Sequence, residues 1–432
     1  MTERLSVLVA AHVADGHMAP TLAIARHLAD QGHRVRFLTG ERFAPVVRAA
    51  GIEYLPWPAD GQVDHQALRA DAGGMAAMAA NVERLFIAPA AGQYRALVEA
   101  IDAEQTDVVV TEYTVVGAAC LTWGAMPHPP VVVCGILPLG LSSRDTAPWG
   151  MGILPRTGEV ARLRNRALNW LTQHVVLRRP QRLAVETIRE VAGGELTGFC
   201  FDWATRSALY AQLTVPGFEY PRSDLSPTVR FVGPLFGPPT RATAVPSWWG
   251  DLEGRTVVLV SQGTVANELS ELVEPTVRAL ADRDLIVVAT TGGADVGTLG
   301  PLPANVRVAD FVPYDLLMPQ VDVFVSNGGY GGLHYALAHG VPLVVSGVTE
   351  DKAETTRRVE WSGTGVNLGV QRPTSAAVGD AVDRVLSTPS FRIRAEELQT
   401  EIAASPGIDG LAEMISEIAR THRHRPESVV GE

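Results

Sequence analysis

Two α/β domains, each built on a doubly wound parallel sheet, are the fold this sequence predicts. Three observations carry the prediction. The chain has 432 residues, more than one hydrophobic core accommodates, so two domains are expected. Both halves are rich in the same pattern, an apolar run, a turn containing glycine, a helical period and a further apolar run, and that order makes βαβ units with parallel strands. Between the halves Pro234, Pro238, Pro239 and Pro246 crowd into a stiff, turn-rich connector. The domains are therefore drawn as 1–235 and 251–432, with 236–250 as linker.

Composition narrows the class. Hydrophobic residues make up 46% and charged residues 19%, as in an ordinary globular protein. A net charge of -11 argues against a general nucleic-acid binder. No apolar run reaches the length of a membrane-spanning helix, and Met1–Arg4 leads into a strand without a signal-peptide pattern. Cys120, Cys134 and Cys200 sit in apolar surroundings without metal spacing and read as reduced core residues. A cytoplasmic location follows as an expectation.

Leu5–Ala10 reads as a buried strand. Pro20 suits the first turn of the helix that follows, with Leu22, Ile24, Ala25 and Leu28 as its apolar face. Gly32 ends that helix, and Val35–Leu38 is the second strand. Gly16 and His17 then lie in the loop at the carboxyl edge of the first strand, where such sheets bind ligands. His27 and His33 read as helix and turn surface. Ala72–Gln93 reads as a small-residue helix, and its Met75, Met78 and Phe86 suit core packing or an adaptable lipophilic pocket. Asp107–Thr111 is another buried strand, with the carboxylate of Glu112 at its end. Leu137–Leu154 is turn-rich and carries Trp149. Arg162–Arg182 sets six arginines around Leu168, Trp170, Leu171, Val175 and Leu177. That reads as a solvated helix packed over the domain, with contact to a membrane surface as the lesser alternative.

The second half opens with the strand Arg255–Val260 and continues through Leu285–Thr290 and Val306–Phe311. Its centre is Val321–Lys352. Val321–Ser326 is a strand, and Asn327–Gly332 packs four glycines into six residues. From Leu333 the spacing is helical, Gly340 closes the helix, and Val341–Val345 is the next strand. Strand, glycine turn and helix N-terminus together form an anion site, because free N–H groups point outward and glycine lets a phosphate reach the backbone. Helical patterns follow over Ala377–Leu386 and Ser390–Arg420, and the tail His422–Glu432 is polar.

These segments resemble the UDP-glycosyltransferase-like enzymes of the GT-B fold, of the bacterial natural-product, macrolide or antibiotic type. In that family a His-Gly-Gly turn grips the donor diphosphate, and an acidic-amide pair further on binds sugar hydroxyls. Here the turn is Asn327-Gly328-Gly329, and Asp351-Lys352 begins 24 residues past Asn327, which keeps the family spacing. The chemistry departs at four places. Asn327 replaces the histidine, Gly332 a hydroxyl residue, Tyr335 the glutamate that holds ribose hydroxyls, and Lys352 the amide.

The resemblance implies two domains facing across a cleft, with the last helix crossing back onto the first. It assigns donor contacts to Gly16, Gln262, Thr264, Val312, Asn327, Gly329, Tyr330, Gly331, Gly332, Tyr335, Asp351 and Lys352. His17 becomes the general base and Glu112 its orienting carboxylate. Met75, Met78, Phe86 and Trp149 are weaker candidates for the acceptor pocket. The expected activity is inverting, metal-independent transfer of a hexose or deoxyhexose from a nucleotide-diphosphate sugar to a hydroxyl of a small lipophilic acceptor. The nucleotide is dTDP or UDP, with dTDP favoured because Tyr335 cannot accept from two ribose hydroxyls as a carboxylate does. Beyond that co-substrate no cofactor or metal is expected. The chain is expected to be a monomer or homodimer without nucleic-acid or membrane contact. The alternatives are a nucleotide-sugar epimerase of the same architecture and a non-catalytic nucleotide-sugar-binding protein.

Overall fold

A computed structural model describes residues 4–63, 75–237, 244–263 and 268–423. The described residues hold two parallel sheets. The first runs in the order β3-β2-β1-β4-β5-β6-β7. Its strands are β1 (Ser6–Ala10), β2 (Arg34–Thr39), β3 (Glu53–Pro56), β4 (Val108–Glu112), β5 (Val131–Gly135), β6 (Leu209–Gln212) and β7 (Val229–Phe231). The second runs β10-β9-β8-β11-β12-β13. It comprises β8 (Val257–Ser261), β9 (Ile286–Thr290), β10 (Val306–Ala309), β11 (Val323–Ser326), β12 (Leu343–Val345) and β13 (Gly365–Asn367). Central strands such as Val108–Glu112 and Val131–Gly135 are buried at every residue. That is why they read as continuous apolar runs: helices cover both faces of a parallel sheet.

Each sheet reverses its winding once, between β1 and β4 in the first and between β8 and β11 in the second. The crevices at the carboxyl ends of those pairs are where the fold places a ligand. The C-terminal helix Gly407–Arg423 returns to the first half. Its Leu411, Ala412, Ile415 and Ala419 join the core that covers β1 and β4, and Arg423 pairs with Asp107.

The halves are locked by a buried ion triad. Arg358 bonds Glu219 of the first half and Glu354 one turn before it, at 2.5 and 2.9 Å. Glu354 also accepts from the amides of Gly150 and Gly152 at 2.9 and 3.0 Å. Thr214 Oγ1 adds a bond to His334 Nε2 at 2.7 Å. Because His334 Nδ1 donates to the carbonyl of Tyr330 at 2.9 Å, Nε2 is the acceptor here. Burial pushes His334 down to about 4, so it is neutral at pH 7.

Several local expectations need correction. The first helix spans Asp15–Asp30, so Pro20 lies inside it. The amides of His17 and Met18 bond the Ala14 carbonyl at 3.0 and 2.9 Å, and nothing between Asp15 and Ala19 stops the helix from starting there. His17 therefore stands in a first helical turn rather than in a loop. His33 is buried, because its Nδ1 accepts the Leu5 amide at 3.2 Å. The basic stretch divides into helices Glu159–Leu171 and Arg178–Ala192, joined by a π-helical turn over Thr172–Val176. Leu177 is buried as expected, but Trp170, Leu171 and Val175 face outward. The helical stretch Ser390–Arg420 likewise breaks between Ala403 and Gly407. Residues 424–432 of the tail lie outside the described residues.

Candidate active site

The first crevice holds a histidine on a buried carboxylate. β1 carries the chain into the helix that presents His17, and neighbouring β4 ends on Glu112. His17 Nδ1 lies 3.2 Å from Glu112 Oε1 and 3.1 Å from Thr114 Oγ1. Glu112 is fully buried and also accepts from the His12 amide at 3.1 Å, the Thr114 amide at 2.6 Å and the Thr114 hydroxyl at 2.7 Å. Burial alone would raise its carboxyl. The charges of His17 and His12 and the bonds from His17 and Thr114 outweigh that and hold it at about 2. An ionised carboxylate fixes the proton of neutral His17 on Nδ1, which leaves the Nε2 lone pair free.

His12 sits on the other side of this carboxylate. Its ring is 5.6 Å from that of His17, and its Nε2 donates to the Leu85 carbonyl at 3.2 Å. Leu85 belongs to a π-helical turn over Glu83–Ile87, a form that recurs at functional sites. Phe86 on the same turn is partly buried, with its ring 6.2 Å from His12.

The second crevice holds the glycine turn. Gly328 has a φ of 89°, and a Cβ there would meet the Thr356 methyl at 2.7 Å, so only glycine fits. The amides of Gly328 and Gly329 are taken by Ser326 Oγ and Asn327 Oδ1, at 3.2 and 3.3 Å. Asn327 Nδ2 in turn donates to the Gln262 carbonyl, tying the turn to the end of β8. The helix Tyr330–Ala338 begins next. The amides of Tyr330, Gly331 and Gly332 head it, where no intrahelical acceptor exists. Nothing lies within 4 Å of where a Gly331 Cβ would stand, so that backbone is open to a ligand.

Past β12 the chain makes a strained corner. Glu350 has a φ of 56°, unlike any other described residue except glycines. Such a conformation costs roughly 1–3 kcal/mol and clusters at functional sites. Lys352 is buried and its Nζ bonds Glu350 at 2.5 Å. Burial raises the neighbouring Asp351 carboxyl to about 6, with Lys352 opposing and Glu350 adding to the rise. Three residues on, Glu354 accepts from the amides of Gly150 and Gly152 of the first half, so the corner lies at the seam between the halves. Thr355 Oγ1 donates to the Gly328 carbonyl at 2.6 Å and fixes the corner against the glycine turn.

Comparison with known proteins fits this geometry. The family described as "Erythromycin biosynthesis protein CIII-like, C-terminal domain" matches residues 274–418. The chain is 41% identical to 4'-demethylrebeccamycin synthase of Lentzea aerocolonigenes, over 95% of this chain and 98% of that protein. The chain belongs to the UDP-glycosyltransferase-like family of natural-product glycosyltransferases. It is also 33% identical to UDP-glucosyltransferase 1 of Beauveria bassiana, over 95% of each. The solved glycotransferase of kitacinnamycin superposes with a TM-score of 0.75 over 97% of this chain and all of that one. At 23% identity that likeness speaks to the GT-B fold.

Within this glycosyltransferase, the residues singled out in the sequence fall into groups. His17 and Glu112 touch. Gln262, Asn327, Gly329, Gly331 and Gly332 gather at the second switch point, with Asp351 beside them. Gly16 stands on the exposed first turn next to His17, and nothing lies within 4 Å of where its Cβ would be. Lys352 is paired with Glu350. The Tyr330 ring turns inward against His334 and Phe218, with centroids 4.3 and 6.3 Å away, so only its backbone faces the turn. The Tyr335 ring packs on Phe236 and Tyr314 at 4.3 and 5.8 Å. Val312 is buried in the core of the second half. Trp149 lines a small cavity with Tyr220, Arg222 and Arg358. Thr264 and the side chains of Met75 and Met78 lie outside the described residues. Sequence reasoning missed His12, Thr114 and the Leu85 carbonyl. A hydroxyl two residues past Glu112 was the available signal for Thr114.

Proposed function

We propose that this glycosyltransferase inverts the anomeric carbon of a nucleotide-diphosphate sugar, with His17 as general base for a small lipophilic hydroxylated acceptor. The acceptor is assigned to the domain of residues 1–235 and the donor to 251–432. One observation carries the reading: at the ligand-binding edge of the first sheet, His17 Nδ1 is held at 3.2 Å by the buried carboxylate of Glu112 and at 3.1 Å by Thr114. The base thus stands at the carboxyl edge of the first sheet, and Asp351 at that of the second. The acceptor O–H gives its proton to His17 Nε2 while its oxygen attacks the anomeric carbon, and the bond to the diphosphate breaks on the opposite side. A single displacement of this kind inverts configuration. His17 becomes imidazolium, and the buried Glu112 carboxylate stabilises it as in other His–carboxylate pairs. Asp351, ionised above about 6, accepts from sugar hydroxyls. NMR coupling constants of donor and product test this reading. Retained configuration would overturn it.

The charge that builds on the leaving diphosphate is met by the amides of Tyr330, Gly331 and Gly332 and by the positive end of their helix. Transfer is therefore expected to proceed at an unchanged rate in excess chelator. A loss of activity that magnesium restores would show that these amides do not suffice.

The nucleotide is assigned as dTDP. The half-buried Tyr335 ring fills space beside the donor helix and offers one hydroxyl, enough for a deoxyribose with its single 3′-hydroxyl. Side-by-side calorimetric titration should give tighter binding for dTDP than for UDP, and Tyr335→Glu should narrow the gap. Tighter UDP binding, with the ratio unmoved by that substitution, would remove the ribose argument.

A further inference from the structure

The helix Glu159–Leu171 is covered on one side. Ala161 and Asn165 are buried, and the side-chain amides of Asn165 and Asn169 donate to the carbonyls of Arg144 and Ser143, both at 3.1 Å. On the other side Val160, Leu163, Trp170, Leu171 and Val175 are 85%, 65%, 58%, 40% and 56% exposed. Their spacing makes one stripe along the helix and its π-helical continuation. Single exposed apolar residues are ordinary, but a contiguous run marks a contact surface. Trp170 lies flat on His174, with ring centroids 5.3 Å apart.

The flanks of the stripe are basic. Residues 156–190 hold eight arginines and three glutamates, in a chain whose net charge is -11. Some of these arginines are already paired: Arg162 with Asp145, Arg179 with Glu83, and Arg182 with Glu186 at 3.9 Å. Arg156, Arg164 and Arg178 form no ion pair among the described residues. The overall negative charge does not cancel this patch, because at physiological salt charges more than about 8 Å apart are largely screened.

The charge pattern selects the occupant. A twofold contact with a second copy would set this basic face against itself, which electrostatics opposes. The occupant is therefore anionic. A convex helix with an apolar stripe, a tryptophan and arginines on its flanks needs no complementary groove, and it matches the geometry of a helix lying in a lipid headgroup layer. No helix among the described residues is long and apolar enough to cross a membrane, so the contact is with the surface. We propose that this face docks the protein reversibly on an anionic lipid surface. That reverses the expectation drawn from sequence, which could not show that the apolar stripe points outward.

The test uses the full chain with vesicles of phosphatidylcholine, alone or with about one third phosphatidylglycerol. Co-sedimentation should be at least about 10-fold stronger with phosphatidylglycerol, since each basic residue near an anionic surface is worth roughly five-fold. Tryptophan emission should shift to the blue on binding, and salt of about 0.5 M should release the protein. The pairs Leu163→Ser with Trp170→Ser, and Arg156→Glu with Arg178→Glu, should each lower binding at least about 10-fold. Thermal midpoints should hold, because the first pair is solvent-exposed and the second makes no ion pair. Equal partition into both vesicle types, absence of binding, or binding that survives both variants would overturn the proposal. So would a concentration-dependent dimer that the serine pair dissolves, which would give the face to a second copy. Retention on polyglutamate without vesicle binding would give it to an acidic protein instead.

Discussion

Replacing His17 by alanine should lower kcat by roughly 10²–10⁴-fold, the span usual for a positioned general base. Donor affinity should change little, because the diphosphate contacts lie on the other sheet. The bond between His17 Nδ1 and Glu112 makes a second substitution informative. Glu112→Gln keeps the size of the side chain and removes the charge that stabilises the imidazolium, so it should share much of the defect. The double variant should be little worse than His17→Ala alone, since residues that act as a unit are not additive. The measurements are single-turnover transfer to an alcohol acceptor and calorimetric binding of the nucleotide. Near wild-type turnover in His17→Ala would rule out the proposed base. Intact turnover in Glu112→Gln would leave His17 in place but remove its orienting partner.

Arg358→Met should destabilise the protein by about 3–5 kcal/mol, the usual consequence of leaving one side of a buried ion pair alone. Burial disfavours the charged guanidinium, but the carboxylates of Glu219 and Glu354 outweigh it and hold Arg358 protonated. Removing it strands both carboxylates in the seam between the halves. Glu354 keeps the amides of Gly150 and Gly152, whereas Glu219 keeps the amides of Leu139 and Tyr220 at 2.9 and 2.8 Å and the charge of Arg222, so the larger loss falls on Glu354. Adding Glu354→Gln to Arg358→Met should recover part of the stability, because a neutral amide is cheaper to bury than an unpaired carboxylate and its Oε1 can still accept from Gly150 and Gly152. Urea unfolding midpoints test both statements. A shift equivalent to less than about 1 kcal/mol for Arg358→Met would mean that water reaches the triad.

Most strands were legible because a parallel sheet covered on both faces demands unbroken apolar runs, and Val108–Val110 and Val131–Val133 are such runs. The glycine turn was legible for a similar reason: only glycine meets the geometry at Gly328. What escaped depends on contacts between distant segments. The amide of His12 reaches Glu112 across a separation of 100 residues, and no local period encodes that meeting. It becomes visible only once β1 is known to lie beside β4. His33 looked like turn surface because Gly32 precedes it, but its partner is the amide of Leu5. The outward face of Glu159–Leu171 was hidden for the opposite reason. An amphipathic period says that two faces differ, and burial elsewhere decides which one turns inward.

The two π-helical turns, Glu83–Ile87 and Thr172–Val176, each hold more residues per turn than an α-helix does. One turn holds the Leu85 carbonyl against His12, and the other carries the apolar stripe past the end of its helix. Each such turn absorbs one extra residue, so losing a single residue from either would restore the α-helical turn while the side chains beyond it keep their faces. The sheets would not move, since both turns lie in helices above them. A one-residue deletion in the first turn therefore moves the Leu85 carbonyl relative to His12 while leaving the scaffold that holds His17 on Glu112 in place.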